Sequence, residues 1–155
     1  MSKSLKRVRA ALEAAGKNID IRETDGARTA QMAADAVGCE VDQIAKSIVF
    51  QKADSGEVVL FLTAGGRQVD TKTAEALLGA QITRADATVV RKQTGFAIGG
   101  VSPVGHLSPI KAFMDTRLTE FTEIWAAAGT PNHVFCVSPE DLQQISGAKV
   151  GSFST

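Results

Sequence analysis

Three features of the sequence carry chemistry: a lysine within a β-rich apolar run, a glycine pair in a long irregular stretch, and a few polar residues at strand ends. In AKSIVFQK, alternate side chains of a strand share a face, which sets Lys46 beside Ile48 and Phe50. A lysine on an apolar face must snorkel to water, pair, or line a pocket. In a pocket it is a fixed cation that binds an anionic group or steadies developing negative charge; an exposed strand end is an equally good reading. Gly99 and Gly100 lie in GFAIGGVSPVGHLSP, where two glycines let the backbone approach a ligand and turn N–H groups toward it. Such groups can hold the oxyanion of an ester-hydrolysis intermediate, although a tight turn without a ligand also explains a lone pair. Ser102, Pro103 and Gly105 make this loop rigid and irregular, and Ser102 is a candidate substrate contact. Asp115 ends a strand, where it can hold a substrate amino group or cap a turn. His133 follows Gly129-Thr130-Pro131-Asn132 and can orient a water or a ribose hydroxyl, or serve structure alone. Cys136 reads as a small core residue, and Trp125 as core or pocket wall.

Other chemistries fail on spacing. GGRQVDTKT places its lysine and threonine wrongly for a phosphate loop, and no GxGxxG opens a helix. Gly100-Val101-Ser102-Pro103-Val104 misses the nucleophile elbow because Gly105 is one place late. His106 and His133 form neither HExxH nor a His/Cys quartet. The simplest site therefore needs no metal and no cofactor. Cys39 and Cys136 are too few for a disulfide scaffold and fit a reducing cytoplasm. A formal net charge of zero argues against binding nucleic acid by bulk electrostatics, so DNA is not an expected partner and any RNA must meet a shaped site. No window approaches the roughly 18 apolar residues of a membrane span, and the charged start MSKSLKRVRAALEAAG reads as an amphipathic helix, not a secretory signal.

The elements that must position these residues fit one domain over 1–155. The first helix runs to about Gly16 and a strand near Ile19–Glu23 follows. Thr29 caps a helix that stops at Gly38, with Met32, Ala33, Ala36 and Val37 as its core stripe. Ala45–Lys52 and Glu57–Thr63 read as strands around the turn Ala53-Asp54-Ser55-Gly56, with VVLFL central in a sheet. Asp70 or Thr71 caps a helix to Leu78, Gln81–Arg84 forms a strand, and Asp86 caps a helix to about Gln93. After the loop Gly95–Pro109 come strands at Ile110–Met114, Glu123–Ala128 and His133–Val137, then a helix opened by Ser138-Pro139. Helices and strands interspersed without a strict βαβ rhythm predict an α+β fold.

ARTAQMAADAVGCEVDQIAKSIVF, VVLFLTAGGRQVD, TGFAIGGVSPVGH and WAAAGTPNHVF, in that order, resemble the YbaK/EbsC family of free-standing aminoacyl-tRNA deacylases. That family is similar to the editing domain inserted in bacterial prolyl-tRNA synthetases. The resemblance covers nearly the whole chain. It implies a mixed, curved, barrel-like β-sheet core with surrounding helices, and a pocket between the lysine strand and the glycine-rich loop. The family's lysine falls on Lys46, its glycine pair on Gly99 and Gly100, its strand-end aspartate on Asp115, and the histidine of alanine-editing members on His133. The implied partner is the 3′ acceptor end of aminoacyl-tRNA, with prolyl-tRNA synthetase as a candidate protein partner. KSIVF and AGTPNHVF depart from the cysteine-editing branch, which favours alanine or 2-aminobutyrate on tRNA(Pro) as substrate. Cys-tRNA(Pro) deacylation and a non-catalytic module binding tRNA or a synthetase are the alternatives.

Overall fold

A computed structural model describes residues 2–17 and 19–155. Helix α1 (Lys3–Ala14) starts where the Ser2 side chain accepts the Leu5 N–H and buries Leu5, Val8 and Leu12, the predicted apolar face. Strand β1 (Ile21–Glu23) leads to helix α2 (Ala30–Val37), capped by Thr29 and ended by Gly38 in the left-handed conformation. Its core face differs from the expected stripe: Ala33 and Ala34 are buried, whereas Met32 is 47% exposed. The small side chains let α2 approach Ile44 and Trp125 closely, and the bulk of Met32 is left outside.

A 3₁₀ turn at Val41–Gln43 feeds β2 (Ile44–Lys52), which turns into β3 (Val58–Ala64), buried along its whole length. Helix α3 (Thr71–Leu78), strand β4 (Ile82–Arg84) and helix α4 (Ala87–Thr94) precede the long loop. Strand β5 (Lys111–Asp115) runs into a second 3₁₀ turn at Thr116–Glu120, followed by β6 (Ile124–Ala127) and β7 (His133–Val137). Helix α5 (Pro139–Ser146) has Ser138 as its cap, and β8 (Lys149–Gly151), which was not expected, closes the order.

These strands form one mixed eight-stranded sheet in the order β1-β7-β6-β2-β3-β5-β8, with β4 also on β2. The expected α+β core of mixed sheet and surrounding helices is therefore present, with β1 and β8 as the two ends of the strand order. Leu60, Leu62, Met114 and Phe135 join the main core with Leu5, Val8 and Leu12 of α1. On the opposite side of β3, Phe61 stacks on Phe113 at 5.2 Å between ring centroids and meets Phe153 edge-on.

Strand β2 shares one edge between two neighbours. It pairs with β6 in parallel at Ile44↔Trp125 and Ala45↔Ala126, and with β4 antiparallel from Phe50↔Arg84 to Lys52↔Ile82. Between these contacts, residues 46–49 pair with β3 alone among the described residues. The sheet has a gap there.

Candidate active site

The strand parity expected for Lys46 sets it on the β2 face of Ile44, Ile48 and Phe50. Ile44 belongs to the cluster of Ala33, Ala34 and Trp125, while Ile48 and Phe50 pack toward Phe61 and Phe113. Lys46 stands between the two apolar clusters, at the gap in the sheet. It forms no salt bridge among the described residues. Burial lowers its pKa from the ordinary lysine value, and the carboxylates of Asp42 and Asp115 oppose that shift. A half-buried ammonium without an ion-pair partner suits an anionic ligand.

A cavity of about 190 Å³ opens beside it. Ala45, Lys46 and Ser47 supply one wall, Ala30 and Ala33 of α2 another, and Gly99 and Val101 a third. Trp125, Thr130 and His133 complete it, so Trp125 is both core and wall. Its lining combines Ala, Val, Ile and Trp side chains with polar ones, Arg28 among them. Beyond Gly99 and Pro131 lies an outer groove of about 520 Å³, which also carries Arg28, Ile98 and Asn132.

Lys46, Gly99 and His133 thus meet around one space, although they are far apart in sequence. Gly100 lies behind the wall: a Cβ there would stand 2.9 Å from both Cα and C of Thr130, so only glycine lets the two loops touch. Its N–H is spent on the Ala97 carbonyl at 3.0 Å, which corrects the expectation that both amides are free. Gly99 is held at φ 97°, and the N–H groups of Gly99 and Val101 have no acceptor among the described residues. Gly99 and Val101 both line the cavity, and the Gly100 amide closes the turn between them.

Ser102 and Asp115 are not on the cavity wall. Ser102 is fully buried; its Oγ accepts the Val104 N–H and its carbonyl lies 2.6 Å from Nε2 of His106. Burial lowers the pKa of His106, overriding the Ser102 carbonyl, and the ring braces the loop through that carbonyl. Asp115 is 1% exposed and its two oxygens accept the N–H groups of Ala64 and Arg117. It caps the following 3₁₀ turn, the alternative role read for it, and its charge acts on Lys46. Nδ1 of His133 lies 2.7 Å from Oγ1 of Thr130, and Nε2 lies 3.9 Å from Glu23. The Thr130 oxygen already accepts the Asn132 N–H in its own turn, which fits a residue that orients the imidazole. Cys136 is half-buried rather than core, with its thiol donating to Glu123.

Two supports were not foreseen. Nε of Arg117 donates to Asp42 at 2.9 Å, and the second Asp42 oxygen accepts the Gly66 N–H at 2.8 Å. This ties the entry to β2 to the exit from β3, near enough to Lys46 for the Asp42 charge to act on it. Arg7 donates to the carbonyls of Gly105 at 2.8 Å and Gly95 at 2.6 Å while covering the Phe96 ring, so it holds both ends of the glycine-rich loop.

Residues 24–145, which contain every wall of this cavity, match the aminoacyl-tRNA editing domain, and the chain belongs to that family. Among its relatives, the uncharacterized protein YwhH of Bacillus subtilis (strain 168) is 30% identical over 95% of this chain and 94% of its own. Proline–tRNA ligase of Desulforamulus reducens is 32% identical over 84% of this chain but only 23% of the ligase, so the likeness is to one part of that enzyme. A crystal structure described as a candidate trans-editing enzyme for prolyl tRNA synthetase superposes with a TM-score of 0.93 at 42% identity, covering 100% of this chain and 99% of that one. The crystal structure of hypothetical protein APE2540 superposes at 0.87 with 25% identity, covering 96% and 99%.

Proposed function

We propose that this protein is a trans-editing deacylase that hydrolyses the ester of tRNA(Pro) mischarged with alanine or 2-aminobutyrate in the cytoplasm. The observation that carries this is the 190 Å³ cavity with Lys46 on one wall and, on another, Gly99 and Val101, whose amides have no acceptor among the described residues. The aminoacyl group enters the cavity and the 3′ end of the acceptor strand lies in the outer groove by Arg28 and Ile98. Lys46 binds the terminal phosphate or the adenosine end. A water, positioned by His133 or by the terminal ribose hydroxyl, attacks the ester carbonyl, and Gly99 and Val101 donate to the oxyanion. Collapse breaks the bond to the ribose oxygen, which leaves as the tRNA hydroxyl, and the free amino acid departs. No protein nucleophile is needed, because the ester is already activated.

The chemistry answers a limit on selection by binding. A synthetase pocket built for proline rejects a smaller side chain by only about 1–3 kcal/mol per methylene. A second, smaller site can remove what passes. Prolyl-tRNA synthetase is the natural partner of such a protein, given the likeness to part of a proline–tRNA ligase. Cysteine remains the rival substrate. Incubating the protein with tRNA(Pro) charged with alanine, 2-aminobutyrate, cysteine or proline tests both: the first two esters are expected to decay fastest, and decay of all four at the spontaneous rate would exclude a deacylase. Retained binding of charged tRNA without hydrolysis would identify a non-catalytic module instead.

A further inference from the structure

Strand β2 stops pairing with β6 in mid-course, and the register shows which main-chain groups are left over. In an antiparallel pair, residues alternate between turning both main-chain groups toward the partner and turning both away. The Lys52 N–H donates to the Glu57 carbonyl at 2.8 Å. Counting back along the register, Phe50, Ile48 and Lys46 also face β3, while Ala45 and Ser47 face the other edge. The Ala53 N–H agrees, since it reaches the Gln81 carbonyl on that edge at 2.9 Å. On β6 the Ala128 N–H donates to the His133 carbonyl at 2.9 Å, so Ala127 turns its N–H and carbonyl toward β2.

Parallel pairing of β2 with β6 ends at Ala45↔Ala126. The next rung would join the Ser47 N–H to the Ala127 carbonyl, and the strands part before making it. Neither group has a main-chain partner among the described residues. Both residues line the cavity, and so do Ala45 and Lys46, whose side chains leave β2 on opposite faces. A cavity that touches both faces of a strand passes its edge, where the main-chain groups lie. Ser47 is half-buried with its hydroxyl shielded from solvent, so the surface it shows belongs to the main chain and Cβ.

A lone donor and a lone acceptor thus stand one rung beyond a paired ladder, and leaving such groups unpaired costs stability. What fits between them presents an acceptor to one and a donor to the other. An aminoacyl ester does so: its α-amino group donates in either protonation state, and the carbonyl on the adjoining carbon accepts. We infer that the aminoacyl group is held as the missing rung of the sheet, its amino group donating to the Ala127 carbonyl and its ester carbonyl accepting the Ser47 N–H. This rests on the deacylase reading above and deepens it. The two bonds use only atoms common to amino acids, which leaves selection of the side chain to the wall of Ala30, Ala33 and Trp125. An oxyanion has three lone pairs, so during attack it keeps the Ser47 bond and gains those from Gly99 and Val101.

The probe is 3′-alanylamino-3′-deoxyadenosine, in which a hydrolysis-resistant amide replaces the ester, followed by amide NMR of the whole chain. In the free protein the Ser47 N–H is expected to exchange with solvent faster than those of Lys46 and Ile48, which face β3. At saturation its exchange is expected to slow about tenfold and the Ala127 carbonyl carbon to shift, with Lys46 and Ile48 exchanging as before. The propionyl analogue, which lacks the amino group, is expected to bind about tenfold more weakly, the scale of one hydrogen bond to a charged group. A Ser47 amide unmoved by the analogue, or as slow in the free protein as its neighbours, would overturn the inference, as would equal binding of the propionyl analogue. Each of these leaves the deacylase intact so long as alanyl-tRNA(Pro) is hydrolysed. Failure of wild type to hydrolyse that ester would remove the deacylase reading and this inference with it.

Discussion

Nε of Arg7 donates to the carbonyl of Gly105 at 2.8 Å, across 98 positions of sequence. The same guanidinium reaches Gly95, so one side chain of α1 fixes both ends of the loop that carries Gly99. Arg7→Ala is expected to cost about 1.5–3 kcal/mol of stability, the range for hydrogen bonds to charged groups. Deacylation is expected to fall through kcat, with KM little moved, because the loop loses its register rather than its ligand contacts. Urea unfolding and steady-state kinetics check both.

Lys46→Met removes a cation that burial already disfavours. Since the folded protein binds that proton less readily than the unfolded chain, protonation of Lys46 weakens the fold, and the methionine is expected to stabilise it. The expected sign is a higher Tm for the methionine variant. Hydrolysis is expected to be lost. In wild type, activity that needs the ammonium is expected to decline with rising pH sooner than an ordinary lysine would allow; a pH–rate profile and a melting curve read these two effects.

Gly100→Ala places a methyl group 2.9 Å from the main chain of Thr130. The loops must separate, and a cost of about 1–3 kcal/mol is expected, as for other overpacked sites. Gly99→Ala meets no atom within 4 Å but must hold φ 97°, a strain of about 1–3 kcal/mol. Both variants are expected to lose activity for different reasons, which crystal structures of the two would distinguish: a shifted Thr130 loop in the first, a changed Gly99 backbone in the second.

Asp42 sets an acid limit on the fold. Burial raises the pKa of its carboxyl, but the Arg117 guanidinium and the Gly66 N–H outweigh burial and hold it below the ordinary value. A carboxyl lowered in the folded state stabilises above its unfolded value of about 3.9, and that contribution is lost as pH falls through the folded value. Asp42→Asn is therefore expected to be less stable than wild type at pH 7, with the gap narrowing toward pH 3. Urea midpoints across that range measure it.

Cys136 is pushed up to about 11 by burial and by the neighbouring Glu123. Its thiol is expected to react slowly with iodoacetamide at pH 8, well below the rate of a free thiol, and Glu123→Gln is expected to quicken it. Mass spectrometry of timed samples gives both rates.

Local chemistry was the legible part of this fold. Thr29, Asp86 and Ser138 each accept a helix N–H through the side chain, and Gly38 and Gly79 end helices in the left-handed conformation. Strand parity was enough to set Lys46 between apolar neighbours. The partners of Asp42 and Arg7 were not legible, because Arg117 and Gly105 lie 75 and 98 positions away and such pairings leave no period in the sequence. Strand β8 has three residues and a lysine at its start, too little for an alternation pattern. Met32 misled for a different reason: apolar bulk marks a core face only when the neighbouring element leaves room, and α2 sits too close to Trp125.

The unpaired stretch of β2 has a consequence for association between molecules. A free strand edge is an invitation to another strand, and many proteins guard theirs with charge or proline. Here residues 46–47 lie on the cavity wall with Ala30 and Ala33 of α2 opposite them. An incoming β-strand would have to pair within a cavity that α2 also lines, which leaves less room there than at an open sheet edge.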